Sequence, residues 1–332
     1  MKKDYRRYYR IFLVLFLLSF SANLFVLALY VKERIRWPSF LKEGMKVRNV
    51  KLARGTVPFS LVHIKNRDAF LLCEKQRKTL YLYRSEENVF SWIKSYPCMV
   101  GSNNVDKKEA GDLATPEGIY FLISFLEGKS LPEKYGRGAF SLNYPNFLDQ
   151  KAGEKGSGIR LHGFPDHMER PFFSEGCIVV KNEFLKELTG VIEIGDTPLV
   201  IVDTIKYQPQ KNQQKLSQSL FLFLDEWKRA WESLDTERYL SFYSQDFINS
   251  EGMGYQRFKE HKERVNKSKK FVKLQIENTA ILLSQKEGGQ IAVVRMNQDY
   301  SSDNFKSYTR KILYLREEQG RWKIIGDIAL RS

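Results

Sequence analysis

The stretch IRLHGFPDHMERPFFSEGCIVV, residues 159–180, decides how this chain is read. It sets His162-Gly163 one loop ahead of Ser174-Glu175-Gly176-Cys177-Ile178. A thiol attacks well only once a base has taken its proton, and an imidazole is suited to that task near neutral pH. Gly176 leaves the backbone before the cysteine open, so its N–H and that of Cys177 are expected to face a developing oxyanion. In a strand, Arg160 and His162 share one face while Ile159 and Leu161 share the other. That alternation directs Arg160 toward the same cleft as the base. The connecting loop must border the cleft too, and it carries His167, Glu169 and Arg170. Plainer readings stand beside these. A free cysteine is often a buried small hydrophobe, and charged loop residues are often merely solvated.

The order HG, loop, S-x-G-C-I resembles the catalytic motif of the YkuD-type L,D-transpeptidases. GDLATPEGIYFL (111–122) and AFSLNYPNFLDQ (139–150) resemble further segments of that family, in the same order. The resemblance implies a mostly-β, sandwich-like catalytic domain. It implies Cys177 as nucleophile, His162 as base and Gly176 as a backbone oxyanion donor. The Gly163 carbonyl would orient the imidazole. Arg160, His167, Arg170, Ser174 and Tyr144 would lie beside a peptidoglycan stem peptide. The implied chemistry cuts the bond between the third residue and the terminal D-alanine of a tetrapeptide stem through a Cys acyl-enzyme. It needs no cofactor, and it implies a part in cell wall organisation and cell shape. One departure stands out. Many transpeptidases carry arginine two residues after the cysteine, where this chain has Val179. The EGCIVV form is closer to a subgroup that includes L,D-carboxypeptidases, so the acceptor stays open between an amine and water. Two rival classes are a papain-like cysteine peptidase and a catalytically silent wall-binding protein.

The amino end supplies the compartment. MKKDYRRYYR holds five Lys/Arg against one Asp, and Ile11–Val31 runs 21 residues without a charge. As a helix this crosses a bilayer core of about 30 Å. The basic flank is expected in the cytoplasm, giving a single-pass anchor in the cytoplasmic membrane with the rest outside. A cleaved signal peptide, cut after Ser21, is the rival; the apolar run continues through Leu29, long for an h-region. The formal net charge of +15 would suit nucleic acid, but export points instead to stem-peptide carboxylates, anionic envelope polymers or lipid headgroups. Cys73 and Cys98 lie in neighbouring strand-like runs, open both to a disulfide and to staying reduced. No spacing suits a structural metal.

The chain divides on composition into a tail and anchor (1–31), a basic connector (32–59), a β-rich catalytic part (60–206), a Gln/Lys-rich linker (207–215) and a carboxy-terminal part (216–332). The connector could also pack as an arm on a second copy, making a homodimer. AFLLCEK (69–75) and KTLYLYR (78–84) read as a hairpin. Beyond the linker, LSQSLFLFLDEWKRAWESLD places Leu224, Trp227 and Trp231 at helical spacing, and four strand-like runs follow. Helices before a curled antiparallel sheet resemble the SnoaL-like, nuclear-transport-factor-like α+β cone. That fold can be enzymatic or a bare binding module, and this half is read as a substrate-positioning or partner-binding module. Its amphipathic helix and four runs suffice to bury a core, with Trp227, Trp231 and Tyr243 in it, and the stretch before it is polar, so it is expected to fold alone.

Overall fold

In this computed structural model the described residues run from 55 to 330, apart from 66, 87–88, 168–172 and 287–288. The expected anchor at 11–31 lies outside them. Among the described residues no helix is long and apolar enough to cross a membrane.

The chain begins with short strands β1 (Thr56–Pro58) and β2 (Leu61–His63). The hairpin expected from sequence follows as β3 (Ala69–Glu74) and β4 (Thr79–Glu86), then β5 (Val89–Pro97), β6 (Gly118–Glu127) and β7 (Gly138–Leu142). Helix α1 (Phe147–Lys151), β8 (Arg160–His162), β9 (Ile178–Val179), α2 (Asn182–Thr189), β10 (Pro198–Val202) and β11 (Tyr207–Pro209) complete this part. Eight of these strands form one hydrogen-bonded sheet in the order β5-β4-β3-β10-β6-β7-β8-β9. The expected sandwich thus takes the form of one continuous sheet. Strand β3 is apolar from Ala69 to Cys73, and β4 from Leu80 to Tyr83, because both faces are covered there. Leu71, Leu82, Leu161 and Ile178 lie in a core on one face, with Leu185 and Leu188 of α2. Phe70, Leu72, Tyr81 and Tyr83 point the other way.

The second part holds α3 (Gln210–Glu232), α4 (Thr236–Leu240), β12 (Tyr243–Asn249), α5 (Tyr255–Lys267), β13 (Val272–Lys286), β14 (Gly289–Ser302), β15 (Lys306–Glu318) and β16 (Arg321–Ala329). Its sheet runs β12-β16-β15-β14-β13-β2. Leu220, Phe223, Leu224, Trp227 and Trp231 form the apolar stripe of α3, packed with Tyr239, Tyr243 and Met296. The opposite face of this sheet carries Leu282, Ile291, Val293, Ile312, Tyr314 and Ile325, which share one core with Phe70, Leu72, Tyr81 and Tyr83.

Two boundaries therefore differ from the composition-based division. Strand β2, before the catalytic sheet begins, pairs with β13 of the second sheet. The expected linker 207–215 is ordered: β11 pairs with β1, and α3 starts at Gln210. Gln213 is buried and its Nε2 donates to the Val62 carbonyl. A solvated first helical turn and a linker have the same polar composition, and that ambiguity is the cause of the difference.

Candidate active site

The parallel pair β8–β9 sits at the end of the eight-stranded sheet. Leu161 lies opposite Ile178 and His162 opposite Val179. Parallel neighbours cannot be joined by a tight turn, so the chain makes the 163–177 loop to return in the same direction. That loop delivers Cys177 to the start of β9, next to the chain that carries His162.

His162 is 7% exposed. Its Nδ1 lies 2.6 Å from the Gly163 carbonyl. A carbonyl can only accept, so Nδ1 carries the proton and the Nε2 lone pair is left to act. The Tyr135 ring packs on the imidazole, with centroids 4.7 Å apart. Burial pushes the His162 pKa down to about 4; the Gly163 bond works against this, while Arg160 and Lys134 add to it. The imidazole is therefore neutral through the physiological range.

Cys177 is half-buried and packs on Met99, Phe164 and Val179. Burial pushes its thiol pKa up, opposed by the backbone N–H of Arg160 and by the charges of Arg160 and Lys134. The sulfur lies 3.8 Å from the Gly158 carbonyl. At rest the pair is thus a neutral thiol and a neutral imidazole.

A tight turn precedes the cysteine. Ser174 Oγ donates to the Cys177 carbonyl at 2.5 Å and accepts the Gly176 N–H at 3.1 Å. Two expectations change here. The Gly176 N–H, expected to face an oxyanion, is turned inward onto Ser174. The Ser174 hydroxyl, expected beside substrate, has its one proton committed to shaping the turn. Glycine is still required at 176: its φ is 124°, and a Cβ there would stand 2.8 Å from the Ala114 carbonyl oxygen.

The other expected contacts separate. Tyr144 is a core residue: its hydroxyl donates to the Lys155 carbonyl at 3.2 Å and its ring meets Tyr120 at 5.8 Å. Its segment looks like the family's, but the side chain points into the sheet's core and not into the cleft. His167 is exposed, with Nε2 3.3 Å from Glu133. Arg170 and Glu169 lie outside the described residues. Arg160 does stay at the site. Its guanidinium covers the Tyr135 ring at 5.0 Å, and its buried Nε has no hydrogen-bond partner.

Sequence reasoning missed Lys134 and Tyr135, which arrive on a single helical turn, Glu133–Tyr135. Lys134 pairs with Glu175 at 2.9 Å. Nothing in the periodicity of LPEKYGRG marks it; only the sheet topology brings it over the cleft. Away from the site, Cys73 and Cys98 are both buried, with sulfurs 3.9 Å apart and no disulfide between them. A crevice of about 650 Å³, lined by Leu72, Ile119, Val200 and Leu283 among others, opens where the two sheets meet, and neither Cys177 nor His162 lines it.

Two protein-family models match the chain. The model of YkuD, the L,D-transpeptidase catalytic domain, matches residues 68–202. That of the Cds6 C-terminal NTF2-like domain matches residues 219–327. No curated protein matches the chain. Among solved structures it is similar to Bd1075 of Bdellovibrio bacteriovorus at 30% identity and a TM-score of 0.70, covering 83% of this chain and 99% of that one. It is also similar to Pgp2 of Campylobacter jejuni, described as a helical cell shape determining protein, at 28% identity and a TM-score of 0.67, covering 81% and 94% of the two chains. On its catalytic sheet, its ordered motifs and its likeness to Bd1075 over nearly the whole of that protein, the chain belongs to the YkuD L,D-transpeptidase family, with an NTF2-like domain at its carboxy end.

Proposed function

We propose that the chain is a peptidoglycan-remodelling cysteine enzyme of the L,D-transpeptidase type. The observation that carries this reading is the His162 Nδ1–Gly163 carbonyl contact, which leaves Nε2 as a base beside the chain that bears Cys177. Nε2 takes the thiol proton as sulfur attacks the carbonyl between the third stem residue and the terminal D-alanine. The Cys177 N–H is the backbone donor left to the oxyanion, since the Gly176 N–H is held by Ser174. The C–N bond then breaks, the imidazolium gives its proton to the departing amine, and D-alanine leaves behind a thioester. An amine or a water attacks next, again losing its proton to Nε2, and the thiol is regenerated. Arg160, with an unmet donor, is placed for a stem-peptide carboxylate.

An amine acceptor gives a cross-link; water gives net carboxypeptidase action. Val179 favours the second reading: it is buried against Met99 and Phe164 beside the thiol, so an apolar wall stands where many transpeptidases carry arginine. The likeness to Pgp2 supports a part in cell shape. The uncharged run 11–31 supports a membrane anchor with the catalytic part outside the cytoplasm, and the carboxy-terminal domain is read as a positioning module. Incubating residues 32–332 with purified muropeptides, followed by mass analysis, tests the reaction. Loss of D-alanine alone indicates a carboxypeptidase and dimers indicate a transpeptidase. Turnover by C177A equal to wild type would sink both.

A further inference from the structure

Asn182 opens α2 directly after the cysteine strand, and it is 4% exposed. Its Oδ1 accepts the Arg137 N–H at 2.9 Å, and its Nδ2 donates to Asp166 Oδ1 at 3.2 Å. The same Oδ1 occupies the place where a Cβ on Gly163 or Gly136 would stand, so a side chain at either position would have to displace the amide. One amide therefore ties three segments together. They are the turn that lays Tyr135 on His162, the loop from Gly163 to Asp166, and the helix that follows Cys177.

The consequence for the base is geometric. The Gly163 carbonyl is the group that fixes the tautomer and ring orientation of His162, and the peptide carrying that carbonyl packs directly on the Asn182 amide. Tyr135, two residues before Arg137, closes the other side of the ring. A well-placed base loses much of its effect when moved by even an ångström. We propose that Asn182 is a positioning residue for the reaction: its amide holds the Gly163 peptide and the Tyr135 turn at the separation that keeps His162 aimed at Cys177. The proposal rests on His162 being the base.

Acylation of Cys177 by a carbapenem, followed by mass spectrometry from pH 5 to 10, tests it on the full chain. The groups facing His162 that also bear charge are Arg160 and Lys134, the latter paired with Glu175; all three stay in every variant. N182A is expected to acylate about 10²-fold more slowly at neutral pH. The half-saturating carbapenem concentration should not change. The deficit should shrink toward pH 10, where the thiol ionises without a base. N182D keeps the acceptor for Arg137 but sets a carboxylate against Asp166, so it should be slow. N182D/D166N restores one donor facing one acceptor and should recover most of the rate, which keeps the idea testable if N182A folds poorly. A wild-type rate and pH profile in N182A overturns the proposal. So does a deficit equal at every pH that the exchange leaves unrescued. H162A is the control: if it too acylates like wild type, the base assignment itself falls, and this inference with it.

Discussion

Arg295 of β14 donates to Asp196, which sits in the turn before β10, and this ion pair joins the second sheet to the first. The two ends are not equivalent. The guanidinium is 2% exposed and also bonds the Asn278 carbonyl at 2.8 Å and the Gly195 carbonyl at 3.3 Å. Asp196 is partly exposed and meets Arg310 as well, at 3.5 Å. Removing the carboxylate strands a buried cation; removing the cation leaves a carboxylate that still has a partner and water. D196A is therefore expected to cost about 3–5 kcal/mol, and R295M only about 1–2 kcal/mol. Denaturant unfolding of the two variants checks this, and equal losses would contradict the asymmetry.

The acid limb of activity should lie far below the usual histidine range. Burial holds the His162 pKa at about 4, so the base stays unprotonated well into acid. The kcat/KM for D-alanine release is expected to hold to about pH 5 and to fall near 4. Stability follows the same group. The folded pKa is depressed below 6.5, so the unfolded chain takes up this proton first, and stability is lost as pH falls from 6.5 toward 4. A limb centred at 6.5 would show that the imidazole is solvated.

Much of the site was legible because its chemistry is compressed into one loop. His162, Gly163 and Cys177 lie within 16 residues, and a β8–β9 parallel pair needs a loop of that kind. What could not be read depends on direction and on distant segments. Tyr144 and Ser174 belong to family-like stretches, yet one points into the core and the other closes a turn on its own backbone. Tyr135 reaches His162 only through the β6–β7 connection. Nothing in the sequence marks Asn182, because its partners near Gly136 and Gly163 are brought to it only by the fold. In the second part, helical spacing gave Trp227 and Trp231 correctly as core. The sheet-to-sheet core was hidden because alternation along a strand does not say what covers its other face.

Lys262 of α5 offers a test of burial against aromatic attraction. Its ammonium lies 4.2 Å from the Trp231 ring centroid, 5.2 Å from Phe258 and 5.4 Å from Tyr239. Burial pushes its pKa down to about 7; Lys311 acts the same way and Asp327 opposes. The rings favour the charged form. With the folded pKa depressed, the unfolded chain keeps this proton up to about 10.5 while the folded chain releases it from about 7, so stability rises across that interval. K262M removes the dependence. Its Tm advantage over wild type should be largest near pH 6 and shrink by pH 10. A constant difference would mean that the rings keep the ammonium charged throughout.

The last expectation reverses what the polar stretch before residue 216 suggested. A fragment 216–332 would lose β2 from the edge of its sheet and the Gln213–Val62 bond. It would also bare Leu282, Ile291, Val293, Ile312, Tyr314 and Ile325, all buried in the core shared with the first sheet. Each such side chain contributes about 1.5–3 kcal/mol when covered, and domains of this size have only about 5–15 kcal/mol of net stability. The fragment is expected to be loosely packed, to bind a hydrophobic dye and to aggregate, and 60–206 to fare no better. In the intact chain the two sheets should then melt together. Calorimetry on residues 55–332 is expected to show one transition whose calorimetric and van't Hoff enthalpies agree. Two separated transitions, each reproduced by an isolated fragment, would show that the shared core is not what holds the halves folded.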